Sequence, residues 1–360
     1  MQNELIKRWA DLLTDYCLQV QPGETVLITG ELPATELVDQ TARAVIRRGG
    51  LPMVRLEIPG LTEFLIENGS DDQLTTIPVS TYTEAGSIDA RVRITAETDQ
   101  NKPVDPARQT LFNKAREPLR RMTGRKKWVL TQFPTATYAR LAGMSLEEYE
   151  AFVASAMFLD RDDPSQAWRD LGKKQARVID LVKNATKIRL VATGTDLTLD
   201  VSGRKWINSD GRRNMPSGEI FTGPVETGVN GQLSCVQPVL HDGRLLEGIV
   251  LAFENGRVVE ARSKTHQDYL LAMLSMDEGA SIVGELGIGL NEGIDRFSGS
   301  ILYDEKIGGT AHVAVGSSYP ETGGSNKSAL HWDFIIDMRQ GGRILVDDKA
   351  LCNNGQWAID

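Results

Sequence analysis

The chain has 360 residues, 41% hydrophobic and 25% charged, with 49 acidic against 40 basic side chains and a formal net charge of −9. That length predicts two domains, and the composition is that of a globular protein, not a disordered one. An acidic surface argues against sequence-independent binding of nucleic acid, and no run approaches the roughly 18 apolar residues of a membrane span. Residues 1–13 carry Glu4, Lys7, Arg8 and Asp11 without an apolar stretch, so no signal peptide is expected. Cys17, Cys235 and Cys352 form no CxxC pair and leave one thiol unmatched. That fits a reducing compartment, and the expected location is the cytoplasm.

In chain order, Leu5, Ile6, Trp9, Leu12, Leu13, Tyr16 and Val20 keep helical spacing and predict an amphipathic helix over residues 3–20. Pro22-Gly23 ends it, and a buried strand follows at 25–29. The pattern then predicts a helix over 34–48, a strand over 53–58, a helix over 61–68 and a strand over 90–94. A basic amphipathic helix is expected over 106–122, a strand over 127–131, and helices over 136–141 and 146–158. Such alternation means βαβ units around a mostly parallel sheet. A long helix over 163–184 reads as the connector. Beyond it come paired strands, 188–193 with 197–201, and 248–254 with 256–261 across Asn255-Gly256. Asn-Gly between two alternating runs is the strongest short hairpin pattern. One helix over 266–276 interrupts a glycine-rich remainder. The expected fold is an α/β N-terminal domain, residues 1–185, followed by a largely antiparallel, β-rich C-terminal domain, residues 186–360.

Nucleotide chemistry finds no support. The first strand-to-helix turn reads Gly30-Glu31-Leu32-Pro33-Ala34, with one glycine, an acid and a proline where a pyrophosphate needs close backbone approach. Gly287-Ile288-Gly289 with Gly293 matches GxGxxG only loosely, and GxSxG and HExxH are absent. No organic cofactor is expected.

Two of the four histidines fall near the C-terminus, in Ala311-His312-Val313 and in His331-Trp332-Asp333-Phe334. Alternate residues of a strand share a face, so His331 and Asp333 project side by side while Trp332 and Phe334 turn into packing. An imidazole beside a carboxylate is either a metal-ligand pair or a hydrogen-bonded structural pair. Glycines 308, 309, 316, 323 and 324 surround both histidines, as expected where backbone crowds a site. Glu219, between Pro216-Ser217-Gly218 and Gly223-Pro224, and Glu285, in Val283-Gly284-Glu285-Leu286-Gly287, are lone acids in apolar surroundings. Either could be a cap or an ion-pair partner, but together with the histidines and Asp333 they make five ligands without sulfur. That is enough for two divalent ions, zinc, cobalt or manganese, with positions left for water.

At these residues the sequence resembles the thermophilic-type metallo-aminopeptidases, the aminopeptidase T and aminopeptidase S family. The resemblance runs through residues 215–224 (MPSGEIFTGP), 284–289 (GELGIG), 304–319 (DEKIGGTAHVAVGSSY) and 323–333 (GGSNKSALHWD). It is fainter in the N-terminal half, chiefly over residues 127–130 and 142–145, and the chain is shorter than the better-known members. The resemblance implies an exopeptidase acting on peptides with a free N-terminus. Its five metal ligands fall on Glu219, Glu285, His312, His331 and Asp333, and its active-site tyrosine on Tyr319. Tyr319 would donate to the developing oxyanion, and Glu219 or Glu285 would take the proton of the attacking water. A homodimer is also implied, with active sites facing an enclosed chamber. Two rivals stand beside this reading. A mononuclear iron dioxygenase that opens dihydroxypyridine rings would need only His312, His331 and Asp333, and a non-catalytic metal-binding protein would need no intact ligand set.

Overall fold

The computed structural model describes residues 1–102, 104–235 and 237–358. Its strands, in chain order, are β1 (Thr25–Glu31), β2 (Leu51–Glu57), β3 (Ala90–Thr95), β4 (Lys127–Gln132), β5 (Lys187–Ala192), β6 (Thr195–Asp200), β7 (Ile207–Ser209), β8 (Asn214–Met215), β9 (Glu219–Thr222) and β10 (Val229–Ser234). They continue with β11 (Val239–His241), β12 (Arg244–Leu246), β13 (Val250–Glu254), β14 (Arg257–Arg262), β15 (Val283–Gly289), β16 (Thr310–Gly316), β17 (His331–Asp337), β18 (Arg343–Val346), β19 (Lys349–Asn353) and β20 (Gln356–Trp357). Two compact units result: Met1–Ala167 with Gly211–Pro216, and Trp168–Asp210 with Ser217–Asp360.

The first unit is built on a parallel sheet of order β2-β1-β3-β4-β8. The helix Thr35–Arg47, between β1 and β2, buries Leu37, Val38 and Val45, and the helix Asn3–Leu12, which precedes β1, buries Ile6, Trp9 and Leu12 of its predicted apolar stripe. The Trp9 indole donates to Thr131 Oγ1 at 3.2 Å, pinning that helix to β4. A parallel sheet with helices is the α/β architecture expected of the N-terminal part.

Three local expectations are corrected. The first helix runs Asn3–Leu12 and passes into a π-helical turn, Leu13–Cys17, instead of continuing to residue 20. Thr14 Oγ1 bonds the Ala10 carbonyl at 2.9 Å, the kind of side-chain back-bond that loosens a helical ladder. The helix expected over 106–122 is two helices, Pro106–Ala115 and Glu117–Gly124, meeting at Arg116. Pro118 has no N–H to donate to the carbonyl four residues back, so one continuous helix cannot form. Short helices at Asp71–Thr75 and Val79–Ser87 lie where the sequence pattern predicts none.

The second unit is antiparallel. A sheet of order β14-β13-β10-β6-β5-β18-β19-β20 contains the predicted hairpin, with Asn255 at φ 48° and Gly256 at φ 77°, as a two-residue left-handed turn demands. A second sheet, β17-β16-β15-β9-β7, is antiparallel throughout, and β15 and β16 are buried along their whole length. The functional candidates gather on this sheet. Among the described residues no helix is long and apolar enough to cross a membrane.

Candidate metal centre

Strand register explains the convergence. Asp333 lies opposite Ala314, which lies opposite Glu285; His312 lies opposite Gly287, and Gly289 opposite Glu219. Glu219, Glu285, His312, His331 and Asp333 therefore share one face across four neighbouring strands. A β-bulge lies between Val283 and Glu285 in β15. It lets Val283 pair with Val315 on the packing side while Glu285 faces the cluster. On the opposite face Trp332 and Phe334 are buried with ring centroids 5.0 Å apart, as their alternation with the ligand candidates predicts.

The glycines of GELGIG have a concrete task. A Cβ on Gly287 would stand 2.0 Å from His312 Nε2, so the imidazole occupies the space that a side chain at 287 would fill. Other groups fix the rest of the frame. Gln175, buried in the helix Pro164–Val182, donates to the Glu219 carbonyl at 2.6 Å and the Ser209 carbonyl at 3.1 Å. His331 Nδ1 donates to the Ser317 carbonyl at 2.8 Å, which turns Nε2 toward the carboxylates.

The separations in the cluster distinguish an ion site from a hydrogen-bonded network. His312 Nε2 lies 3.4 Å from Glu219 and 3.5 Å from Glu285; His331 Nε2 lies 3.3 Å from Glu285 and 3.6 Å from Asp333. These exceed the usual charge-assisted hydrogen bond of about 2.7–2.9 Å. Two ligand atoms each about 2.1 Å from one ion, at a tetrahedral angle, stand about 3.4 Å apart. Both nitrogens of His312, Glu219 Oε2 and Asp333 Oδ1 are buried without a hydrogen-bond partner. Orphaned polar atoms of this kind are costly unless something else, such as a cation, satisfies them. The residues present fit a divalent ion.

Three sets of side chains among the described residues each bring one ligand atom apiece within 4.8 Å of one another: Glu219, Glu285 and His312; Glu285, His331 and Asp333; and Glu305, His312 and Asp333. Glu285 belongs to the first two. Glu305 is not among the candidates the sequence offers, nor is its neighbour Lys306, which is fully buried with Nζ 3.5 Å from Glu219 and paired with Glu305. Three consecutive charges, Asp304-Glu305-Lys306, read as a solvated turn. In the sequence their signals are their place in the 304–319 stretch of the family resemblance and their position just before a strand that carries a histidine.

Burial pushes the Glu219 carboxyl up to about 8, with the Lys306 ammonium pulling the other way. Burial opposes protonation of the two imidazoles, but carboxylates outweigh it, Glu285 first at His312 and Asp333 first at His331. Their pKa values rise to about 9 and about 12. An ion entering the cluster displaces such protons. Tyr319 is 40% exposed, with its ring 5.4 Å from that of His331 and 5.2 Å from that of Phe221. It borders the cluster and is no core tyrosine. Burial, and next the Glu285 charge, raise its hydroxyl pKa, so the phenol stays protonated and able to donate.

Carboxylates and imidazoles without sulfur define a class of protein that holds divalent metal ions. The family model for the thermophilic metalloproteases (M29) matches residues 2–357, and the chain belongs to that family. A divalent metal cofactor belongs to the chemistry of such a protein. The chain is similar to Aminopeptidase 2 of Geobacillus stearothermophilus, 27% identical over 99% of this chain and 98% of that one. Its fold is similar to that of wild-type AmpT from Thermus thermophilus, with a TM-score of 0.82, 22% identity and 99% of both chains covered. It is also similar in fold to 2,5-dihydroxypyridine dioxygenase from Pseudomonas putida KT2440, with a TM-score of 0.61, 14% identity, and 100% and 99% of the two chains covered.

Proposed function

We propose that this chain is a metal-dependent aminopeptidase that hydrolyses the N-terminal residue from peptides at a dinuclear site. In this reading residues 186–360 form the catalytic domain, and Glu219, Glu285, His312, His331 and Asp333 hold two zinc, cobalt or manganese ions. The observation that carries it is the sharing of Glu285 between two ligand groups, one with Glu219 and His312 and the other with His331 and Asp333. Glu305 completes the ring of acids. Bound divalent ions supply Lewis acidity, lowering the pKa of a water toward neutrality and polarising the scissile carbonyl. Around them, Glu219 or Glu285 takes the proton of the attacking water, and the Tyr319 hydroxyl donates to the oxygen that gains charge. The names of similar proteins support N-terminal exopeptidase action.

Fold likeness extends to a ring-cleaving dioxygenase, so the ligand groups decide between the two chemistries. His312, His331 and Asp333 do not form a group of their own; each histidine groups with a glutamate. A single-iron triad leaves those glutamates without a task.

Purified protein loaded with cobalt or manganese should hydrolyse leucine p-nitroanilide and leave its N-acetyl derivative intact. Glu219→Gln and Glu285→Gln should each abolish that activity and lower metal content from two ions toward one. Folded mutants that keep two ions and the parent rate would overturn the assignment. So would wild-type protein that binds one iron and consumes oxygen with a hydroxylated pyridine. The family resemblance further supports a cytoplasmic homodimer; light scattering that finds a fully active monomer would remove the dimer from the proposal.

A further inference from the structure

The face of β17 that carries His331 and Asp333 continues to Ile335, two residues on. There the cluster meets a cavity of about 40 Å³, whose boundary includes Asp333, Ile335, Leu240, Phe297 and Ile301. β17 is the edge strand of its sheet, so the cavity lies beside the cluster with no further strand in between.

The cavity lining is mostly apolar, with Gln237, Asp304 and Asp333 as its polar side chains. Asp304 also borders it, but its carboxylate is spent on the chain itself, accepting from Ser298 N at 2.7 Å, Ser298 Oγ at 2.8 Å and Gly299 N at 2.9 Å. Asp304 therefore fixes the turn that walls the cavity. Asp333 differs, because its Oδ1 is buried and unpartnered. A molecule in this space meets apolar side chains on most sides and the metal-ligand candidate at one end.

We infer that this cavity receives the side chain of the substrate's N-terminal residue and selects a small branched aliphatic one. The inference rests on the aminopeptidase reading and adds the substrate class to it. With its amine and carbonyl held at the cluster, the N-terminal residue must direct its side chain into a neighbouring space, and this is the apolar cavity that Asp333 borders. Size sets the upper limit. At about 10–15 Å³ for each water-sized sphere, the cavity takes about three such spheres, which suits valine or leucine and excludes an aromatic ring.

The test uses leucine, alanine and phenylalanine p-nitroanilides with full-length protein loaded with cobalt or manganese. Ile301 is 47% exposed, so Ile301→Trp can narrow the cavity from its rim without rebuilding the core; Phe297→Ala widens it. Wild-type protein should prefer leucine over both alternatives. Ile301→Trp should lower the ratio of kcat/KM for leucine over alanine about tenfold, and Phe297→Ala should raise the ratio for phenylalanine over leucine by a similar factor. Calorimetric titration with free leucine and alanine should show the same change in the affinity ratio. Ratios that stay within twofold of wild type, in variants with the parent metal content, overturn the cavity assignment while leaving the aminopeptidase reading intact. A wild-type protein that hydrolyses no N-terminally free substrate overturns that reading and the cavity with it.

Discussion

At position 287 a single methyl group decides whether the cluster can form. Gly287→Ala places a Cβ 2.0 Å from His312 Nε2, so the ring must swing off its present position and carry its ligand atom away from Glu219 and Glu285. Crowding of this order in a packed interior costs about 1–3 kcal/mol, which a domain of this size survives. The expected variant is folded, poor in metal and inactive; full metal content at the parent kcat would show that the imidazole has another place to go. Tyr319→Phe isolates a different contribution. Removing a donor to a developing oxyanion lowers kcat by roughly 10²–10³, while the metal content holds because Tyr319 is no ligand candidate. An unchanged kcat would return the ring to simple packing against Phe221 and His331.

Strands carry the ligand candidates, and the segments that lead into them are anchored by their own contacts. Before β17, Asp277 accepts from Ser328 Oγ at 2.8 Å, Ala329 N at 2.8 Å and Gly279 N at 3.0 Å. Although burial favours the neutral acid, these donors outweigh it and hold the Asp277 pKa below its ordinary 3.8. A depressed carboxylate pKa gives stability that is present above the unfolded value and is lost as pH falls through the folded one. Asp277→Ala should therefore cost about 1–3 kcal/mol at neutral pH, with the difference from wild type shrinking below pH 3.8. Denaturant titrations at pH 7 and pH 3 read this directly, and a pH-independent difference would contradict it. The same strands show how much is legible in the sequence. Alternation in HWDF places His331 and Asp333 on one face and Trp332 and Phe334 on the other, because the period of a strand is a local property. Glu305 and Lys306 escape notice because their burial depends on β9 and β17 closing around them, a non-local event that adjacent charges do not announce. The helix expected over 106–122 fails for a local reason that is readable, the imino nitrogen of Pro118.

The second unit gathers β9, β15, β16 and β17 around one cluster of charges, so ion binding and the stability of that unit are linked. An ion present at a hundred times its Kd contributes about 2.7 kcal/mol, which for a unit of this size is roughly 5–10 °C in melting temperature. Stripping metal with a chelator should lower the midpoint by that amount and restoring it should reverse the change. The stripped protein should still fold, since Lys306 already supplies a buried positive charge to Glu219 and Glu305. Equal midpoints with and without metal would break the link.

The shared face also limits where this chain can gain or lose residues. One residue inserted between Glu285 and Gly289 reverses the facing of the strand on one side of the insertion, sending a carboxylate into packing and a leucine or isoleucine into the cluster. Two residues restore parity but shift a ligand about 6.6 Å along its strand, beyond the 4.8 Å circle within which its partners lie. Odd and even changes thus both fail within these strands, whereas a turn such as Ala142-Gly143 in the first unit, where a Cβ on Gly143 would meet nothing within 4 Å, can lengthen without moving a ligand atom.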